Sequence, residues 1–179
     1  MVHELFKYFP LLFSIILLVA AIIFADWKNW RGYYPTILFA ISVDFFIAII
    51  TNKHSLWLFH KSFLVPNHTI ADFFIAYTNI PLIILIFLSH YPNNTQLFKQ
   101  FSYIFVWSIS FTVIETIFLL MKLMSYHNGW NFWWSFIVWF FIFISLKIHQ
   151  RNPLFAWGIC FICTIFLIFY FQIPILKLK

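Results

Sequence analysis

Long apolar blocks, separated by short polar ones, recur along the whole chain. The blocks are about 17–23 residues long, the length that a helix needs to cross a hydrocarbon core roughly 30 Å thick at 1.5 Å per residue. They predict membrane-spanning helices at about 8–25, 34–51, 69–89, 101–123, 131–148 and 153–173. We therefore predict a single all-α integral membrane domain over residues 1–179, a polytopic helical bundle of about six transmembrane helices, or five if the first proves peripheral.

The connection over residues 52–68 has a different pattern. It is too short and too polar to cross a bilayer, yet its leucines and aromatic residues alternate with His and Lys. Amphipathic segments of this kind lie in the plane of the interface. We expect residues 54–65 to form an interfacial segment that does not span.

Proline marks several helix starts and one interruption. Pro10, Pro35 and Pro153 lie near predicted helix starts, where the missing N–H is not needed. Pro81 instead lies inside the third predicted span and follows Asn79 by two residues. The sequence predicts a kink in that helix just after Asn79.

Composition excludes a soluble fold and limits the class of partner. Charged residues make up only 9% of the 179 residues, whereas a soluble domain carries roughly 25%. The net charge of +6 comes mostly from Lys and Arg at span ends, where they reach headgroup phosphates. We predict membrane lipids as partners, with a membrane-protein partner or a second copy of the chain as further candidates, and no nucleic acid, since no basic stripe interleaves with exposed aromatics.

Three of the five carboxylates in the chain lie within predicted spans, namely Asp44, Asp72 and Glu115. An ionisable group in hydrocarbon costs about 2.5–3.5 kcal/mol on insertion scales, so it normally faces the bundle interior with a partner. Distances from the span ends place all three in the same half of the membrane. Three acids so close in depth cannot all stay ionised without cations. The nearest candidate cations are His68, one turn from Asp72, and Lys122, two turns from Glu115.

Residues three or four apart share a helix face. By that spacing His68, Asp72 and Asn79 form one polar stripe, while Ser108, Thr112 and Glu115 form another. Two interpretations stay open. The acids line a half-membrane polar pocket capped by cations, or each one ties helices together by hydrogen bonds without any ligand.

The junction over residues 126–135 is the second candidate site. Asn128-Gly129 predicts a tight turn, and His127 and Trp130 flank it. A tight turn followed by an aromatic belt is the simpler interpretation of the segment, and it is the one that we favour. The candidate ligand-binding residues are Asp44, His68, Asp72, Asn79, Glu115, His127 and Trp130.

Motifs for catalysis and metal binding are absent from the sequence, which has only three Gly and no phosphate-binding glycine loop, G-x-S-x-G or H-E-x-x-H motif. Cys160 and Cys163 are three apart inside an apolar run, where small thiols are ordinary packing residues. We predict no metal site and no cofactor, and no catalytic residue can be assigned.

Several segments resemble a family of small multi-pass membrane proteins of spore-forming Gram-positive bacteria, itself uncharacterised. The resemblance covers about residues 26–157. It rests on DWKNWRGYYPTILF at 26–39, SLWLFH at 55–60, HTIADFF at 68–74, FLSHYP at 87–92, Glu115, YHNGWNFWWS at 126–135 and KIHQRNPLFAW at 147–157. It implies the multi-pass topology and a bacterial plasma membrane, and it implies no activity.

Our leading functional hypothesis is a non-enzymatic integral membrane protein that binds a small ligand, lipid headgroup or cation in the half-membrane pocket, or that serves as accessory subunit of a membrane complex. The first alternative is an intramembrane enzyme acting on lipid or isoprenoid substrates, with Asp44, Asp72 or Glu115 as acid/base groups. The second is a purely structural interaction protein.

Overall fold

The structure is a computed structural model that describes residues 6–63 and 65–174, so Leu64 of the predicted interfacial segment lies outside the described residues. In the described part the chain forms a helical bundle with one small sheet. Its elements are α1 (Phe9–Phe24), a 3-10 turn (Trp27–Asn29), α2 (Trp30–Thr51), β1 (Trp57–Phe59), α3 (His68–Phe74), a π turn (Ile75–Asn79), α4 (Ile80–Ser89), α5 (Leu97–Leu120), β2 (Met124–Tyr126), α6 (Phe132–Arg151) and α7 (Pro153–Tyr170). The all-α bundle predicted from the sequence is confirmed.

Five helical segments are long and apolar enough to cross a membrane. They are Trp27–Thr51, His68–Ser89, Leu97–Leu120, Phe132–Arg151 and Pro153–Tyr170. The helix α1 has 16 residues and is therefore about 24 Å long, less than a typical hydrocarbon core.

Although α1 is short, it extends along the bundle from one end to the other. Near its start, the ring of Phe9 lies 5.3 Å from that of Phe118 in the last turn of α5. Just beyond its end, the backbone N–H of Asp26 donates to the hydroxyl of Ser89, the last residue of α4, at 2.8 Å. The helix thus follows the same course as the longer ones, as the six-helix prediction requires.

Several predicted helix boundaries differ from the structure by three residues or more, and two of these differences affect the interpretation. Helix α2 begins at Trp30, so Pro35 lies inside it rather than at its start. Helix α5 ends at Leu120, and the following residues turn and enter β2. Both differences arise because hydropathy locates the apolar core of a helix better than its polar ends.

The interruption near Pro81 is a π turn. The backbone N–H of Ile80 donates to the carbonyl of Ile75, five residues earlier, which widens the helix just before the residue that has no N–H of its own. The sequence predicted a kink just after Asn79, whereas the irregular turn ends at Asn79 and precedes the proline.

The two strands join connections that are far apart in the chain. β1 follows α2 and β2 follows α5, and they pair antiparallel with Trp57 opposite Tyr126 and Phe59 opposite Met124. We call this end of the bundle the sheet end. The segment predicted to be interfacial is therefore partly a β-strand.

Aromatic rings from three helices form the centre of the bundle. Phe87 of α4 is fully buried, and its ring lies 4.9 Å from Phe143 of α6 and 5.5 Å from Trp107 of α5. Aromatic pairs at such distances stabilise beyond the area that they bury. This packing fixes α5 against α6.

Candidate functional site

Glu115 lies near the end of α5, and its carboxylate accepts three hydrogen bonds from neutral side chains. Oε1 accepts from the hydroxyls of Tyr126 at 2.8 Å and Ser135 at 2.7 Å. Oε2 accepts from Nε1 of Trp139 at 2.7 Å. The carboxylate therefore joins α5 to both β2 and α6.

The start of α6 positions two of these donors. The side chain of Asn131 accepts from the backbone N–H groups of Trp133 and Trp134 and so caps the helix. Ser135 and Trp139 are four residues apart and share a face. That face is turned towards α5, which brings both donors to the same carboxylate.

Ser135 connects Glu115 to the predicted site residue Trp130. Ser135 is 1% exposed, and its hydroxyl accepts from Nε1 of Trp130 at 2.8 Å. The Tyr126 hydroxyl also lies 2.9 Å from it. Because each hydroxyl has one proton, that last contact adds no further bond while both hydroxyls donate to Glu115.

The phenol of Tyr126 stays a donor in this site. Burial raises its pKa above the ordinary value, although the nearby Ser135 hydroxyl acts in the opposite direction, and the neighbouring Glu115 carboxylate raises it further. A phenol with a raised pKa keeps its proton at neutral pH. It can therefore donate to the carboxylate throughout the physiological range.

No cation contacts Glu115 in the part of the chain that the structure describes. Lys122, one of the two predicted partners, is exposed and has a φ of 57°. The prediction placed it on the face of Glu115 by assuming that the helix continued, but α5 ends at Leu120. No salt bridge between described residues joins the two.

One acceptor position of Glu115 remains available. A carboxylate offers about four lone-pair positions, and the three donors occupy two on Oε1 and one on Oε2. The residue is half-buried. A donor group that reached Oε2 would meet an acid with no other cationic partner among its described contacts.

Asp44, Asp72 and His68 form a second group. Nδ1 of His68 lies 3.5 Å from a carboxylate oxygen of Asp72, as the sequence predicted. The same nitrogen lies 3.5 Å from the backbone N–H of Phe59, so its tautomer decides which contact is a hydrogen bond. Asp44, across from α3 on α2, is close enough to Asp72 to interact with it electrostatically.

Asn79 belongs to neither group by any described hydrogen bond. Its side chain is buried in the π turn and accepts from the hydroxyl of Thr78 at 3.3 Å. No described contact joins Glu115 to Asp44 or Asp72, although all three lie in the half nearer the sheet end. Nor do the described residues contain three or more His, Cys, Asp or Glu side chains grouped as metal ligands.

The predicted turn at the sheet end is present. Asn128 and Gly129 have φ values of 51° and 85°, the left-handed region that Asn and Gly tolerate best. His127 is exposed, and its Nε2 lies 2.8 Å from the Ser125 hydroxyl. A cavity of about 470 Å³ beside the turn is lined by His54, Asn128, Gly129, Tyr170, Phe171 and Gln172.

Sequence reasoning missed Tyr126, Ser135 and Trp139. Each lies in an aromatic-rich stretch that also reads as an interfacial belt. The sequence feature that could have identified two of them is the spacing of Ser135 and Trp139. These two hydrogen-bond donors are four residues apart on one face of an apolar helix.

Two polar residues at the opposite end of the bundle were also missed. His149 is buried, stacks on Phe39 at 4.2 Å and lies 3.0 Å from the Thr36 hydroxyl. Lys147 is buried as well, with Nζ 4.4 Å from the ring centre of Tyr91.

These features define a multi-pass helical membrane protein with a hydrogen-bonded carboxylate in one half of the bundle. Comparison of the chain with protein-family models, with curated proteins and with solved structures gives no match in any of the three.

Proposed function

We propose that this protein is a non-enzymatic membrane protein that binds an ammonium-bearing lipid headgroup at Glu115. The observation that carries the proposal is the open acceptor position on Oε2 of an acid whose described partners are all neutral. An ammonium group brings both the positive charge and the N–H donor that this position lacks.

The depth of Glu115 supports a lipid as the source of the ammonium. Glu115 is five residues from the last residue of α5, about 7–8 Å along the helix axis. The proposal requires the headgroup amine to reach that depth while its acyl chains stay in the hydrocarbon. A charged acid so placed is costly without a partner, and a bound ammonium removes that cost.

The contacts of Glu115 favour binding over catalysis. Acid–base catalysis needs a second ionisable group within reach of the same reacting atom. Tyr126 is the one such group among its described contacts, and its raised pKa keeps the phenol protonated. The same raised pKa makes Tyr126 a steady donor, which suits a fixed binding site.

The membrane is proposed to be a bacterial plasma membrane. The resemblance of residues 26–157 to the uncharacterised family of spore-forming bacteria supports this location, and membership of that family is part of the proposal. A phosphatidylethanolamine headgroup carries a primary ammonium, which is the chemistry that the proposed site requires.

Binding is tested by native mass spectrometry of the full chain in detergent with added phosphatidylethanolamine, phosphatidylcholine or phosphatidylglycerol. We expect phosphatidylethanolamine to bind best, because choline has no N–H to donate to Oε2. Glu115→Gln should weaken that binding by about tenfold, or 1.4 kcal/mol. The matched control is Asp26→Asn, which removes an acid at the other end of the bundle from Glu115. This variant should bind the lipid as the unmodified chain does.

A second measurement separates a lipid from a free amine. Millimolar ethanolamine should not displace the bound lipid if the acyl chains contribute to affinity, and full displacement would indicate a small-amine site instead. Equal binding of all three lipids, or undiminished binding by Glu115→Gln, would contradict the proposal.

A further inference from the structure

The end of the bundle opposite the sheet end is strongly positive. The structure describes every residue of the three connections at this end, which join α1 to α2, α4 to α5 and α6 to α7. Among these residues and the adjoining helix turns there is one acid, Asp26, whose carboxylate accepts from the side-chain amide of Asn29 at 2.6 Å. The Lys and Arg residues at the same end are Lys28, Arg31, Lys99, Lys147 and Arg151. Most of this charge therefore has no anionic partner within the described part of the chain.

Lys147 is a buried cation whose contacts are all neutral. Its Nζ donates to the side-chain oxygens of Asn93 and Gln150 and lies 4.4 Å from the ring centre of Tyr91. These contacts use the three N–H groups of the ammonium, so its hydrogen-bonding capacity is filled. Its charge is not neutralised, because no described carboxylate lies within ion-pair distance of it. A buried charge is stabilised by a charge of opposite sign nearby.

Arg151 has the free N–H donors that Lys147 lacks. It follows Lys147 by four residues, so the two share a face of α6, and they are close enough to interact electrostatically. Arg151 is exposed, and its guanidinium has no hydrogen-bond or ion-pair partner among the described residues. Two like charges one turn apart destabilise a helix, whereas an anion bound to Arg151 would offset both. A guanidinium binds phosphate through two parallel N–H groups.

The surroundings of Arg151 favour a lipid as the source of that phosphate. Arg151 is the last residue of α6, one of the helices long enough to cross a membrane. Leu154 and Phe155, in the first turn of α7, are both exposed, and the rest of α7 runs from them back along the bundle. A phosphate bound at Arg151 would have its acyl chains beside these side chains, whereas a free phosphate would make no use of them.

We propose that Arg151 binds the phosphate of an anionic phospholipid, with the buried charge of Lys147 adding to the attraction. The guanidinium donates to the phosphate oxygens, and the acyl chains contact Leu154 and Phe155. A headgroup with net negative charge is selected, because the two positive charges repel a headgroup ammonium. Glu115 lies in the other half of the bundle and would accept an ammonium, so the two sites differ in leaflet and in the charge that they select.

The test is native mass spectrometry of the full chain in detergent, titrated with phosphatidylglycerol or phosphatidylcholine. We expect phosphatidylglycerol to bind with about tenfold higher affinity than phosphatidylcholine. Arg151→Gln should weaken phosphatidylglycerol binding about fivefold and leave phosphatidylcholine binding unchanged. Lys122→Gln, which removes one charge from an exposed lysine at the sheet end, is the control and should bind both lipids as the unmodified chain does.

Two further variants and a stability measurement make the result specific. Arg151→Lys keeps the charge without the paired donors, so it should bind phosphatidylglycerol more tightly than Arg151→Gln does. Saturating phosphatidylglycerol should raise the melting temperature of the unmodified chain more than that of Arg151→Gln, because a ligand stabilises the folded state that binds it. Glu115→Gln should leave phosphatidylglycerol binding unchanged, so the outcome is independent of the proposed function.

Four results would each overturn the assignment. They are equal affinity for the two lipids, unchanged phosphatidylglycerol binding by Arg151→Gln, an equal loss in Lys122→Gln, and displacement of bound phosphatidylglycerol by millimolar inorganic phosphate. An equal loss in the control would indicate diffuse surface charge in place of a site at Arg151, and displacement by phosphate would indicate a small-anion site that makes no use of acyl chains.

Discussion

Nε1 of Trp139 donates to Oε2 of Glu115 at 2.7 Å, so that an indole on α6 and a carboxylate on α5 join the two helices near the sheet end. Hydrogen bonds to a charged group contribute about 1.5–3 kcal/mol, roughly twice a neutral pair. The pair is only one of three donor contacts, and its energetic share can be measured by removing each partner separately.

We expect Trp139→Phe to lower the melting temperature in detergent, because it removes the donor and keeps most of the ring. In a Glu115→Gln background the same change should cost less, since a Gln whose carbonyl faces Tyr126 and Ser135 turns its amide N–H groups towards the indole. The double-mutant cycle in unfolding free energy should give a coupling of about 0.5–3 kcal/mol. Additive effects would show that the contact contributes nothing.

Glu115→Ala should destabilise the protein more than Glu115→Gln does. Alanine leaves the polar hydrogens of Tyr126, Ser135 and Trp139 without their acceptor, and each unsatisfied buried donor costs about 1–3 kcal/mol. Glutamine still accepts at one oxygen. Melting curves in one detergent measure the difference, and a Glu115→Ala protein with unchanged stability and lipid binding would remove Glu115 from the site.

The helical bundle was predictable because apolar blocks of the right length leave the chain no soluble alternative. The turn at Asn128-Gly129 was predictable for a local reason, since these residue types tolerate positive φ. Local signals also placed His68 beside Asp72, one helical turn away.

The partners of Glu115 were not predictable in the same way. Depth along a helix follows from counting residues, but which helix faces which depends on packing between distant segments. Glu115 was therefore grouped with Asp44 and Asp72 at the same depth, whereas its described contacts are on β2 and α6. The predicted pairing of Lys122 with Glu115 was wrong because it depended on where α5 ends. Helix ends are the features that a sequence locates least accurately.

Lys147 should contribute to the stability of the fold. Its Nζ donates to the side-chain oxygens of Asn93 and of Gln150, the latter at 2.8 Å, and lies over the ring of Tyr91. Lys147→Met keeps most of the stem but leaves both acceptors unmatched and removes the cation–π contact, worth about 0.5–2 kcal/mol. We expect a lower melting temperature, whereas Lys99→Met, at an exposed position, should be neutral. Equal melting temperatures for the two variants would contradict this role.

Gly129 should not tolerate a side chain. Its φ of 85° lies in the left-handed region, which costs an L-residue roughly 1–2 kcal/mol. Gly129→Ala should therefore lower stability, although a Cβ there would meet only a ring atom of Phe171 at 3.9 Å. Gly158→Ala is the control, because that glycine is helical and has open space around it. A destabilised Gly158→Ala beside an unchanged Gly129→Ala would refute the argument.

The connection between α2 and α3 should remain on one side of the membrane. Between them the chain forms β1, which pairs with β2 at the sheet end, and no described helix in the segment is long enough to cross. We expect single cysteines replacing Lys53 and Asn67 to react with a membrane-impermeant maleimide from the same side of sealed vesicles.

The background for this experiment needs Cys160 and Cys163 replaced by Ala, since both are free thiols in α7. A cysteine in place of Lys99, at the opposite end of the bundle, provides the control and should be labelled only from the other side. Labelling of Lys53→Cys and Asn67→Cys from opposite sides would show that residues 54–65 cross the bilayer and would refute both the interfacial assignment and the sheet-end geometry.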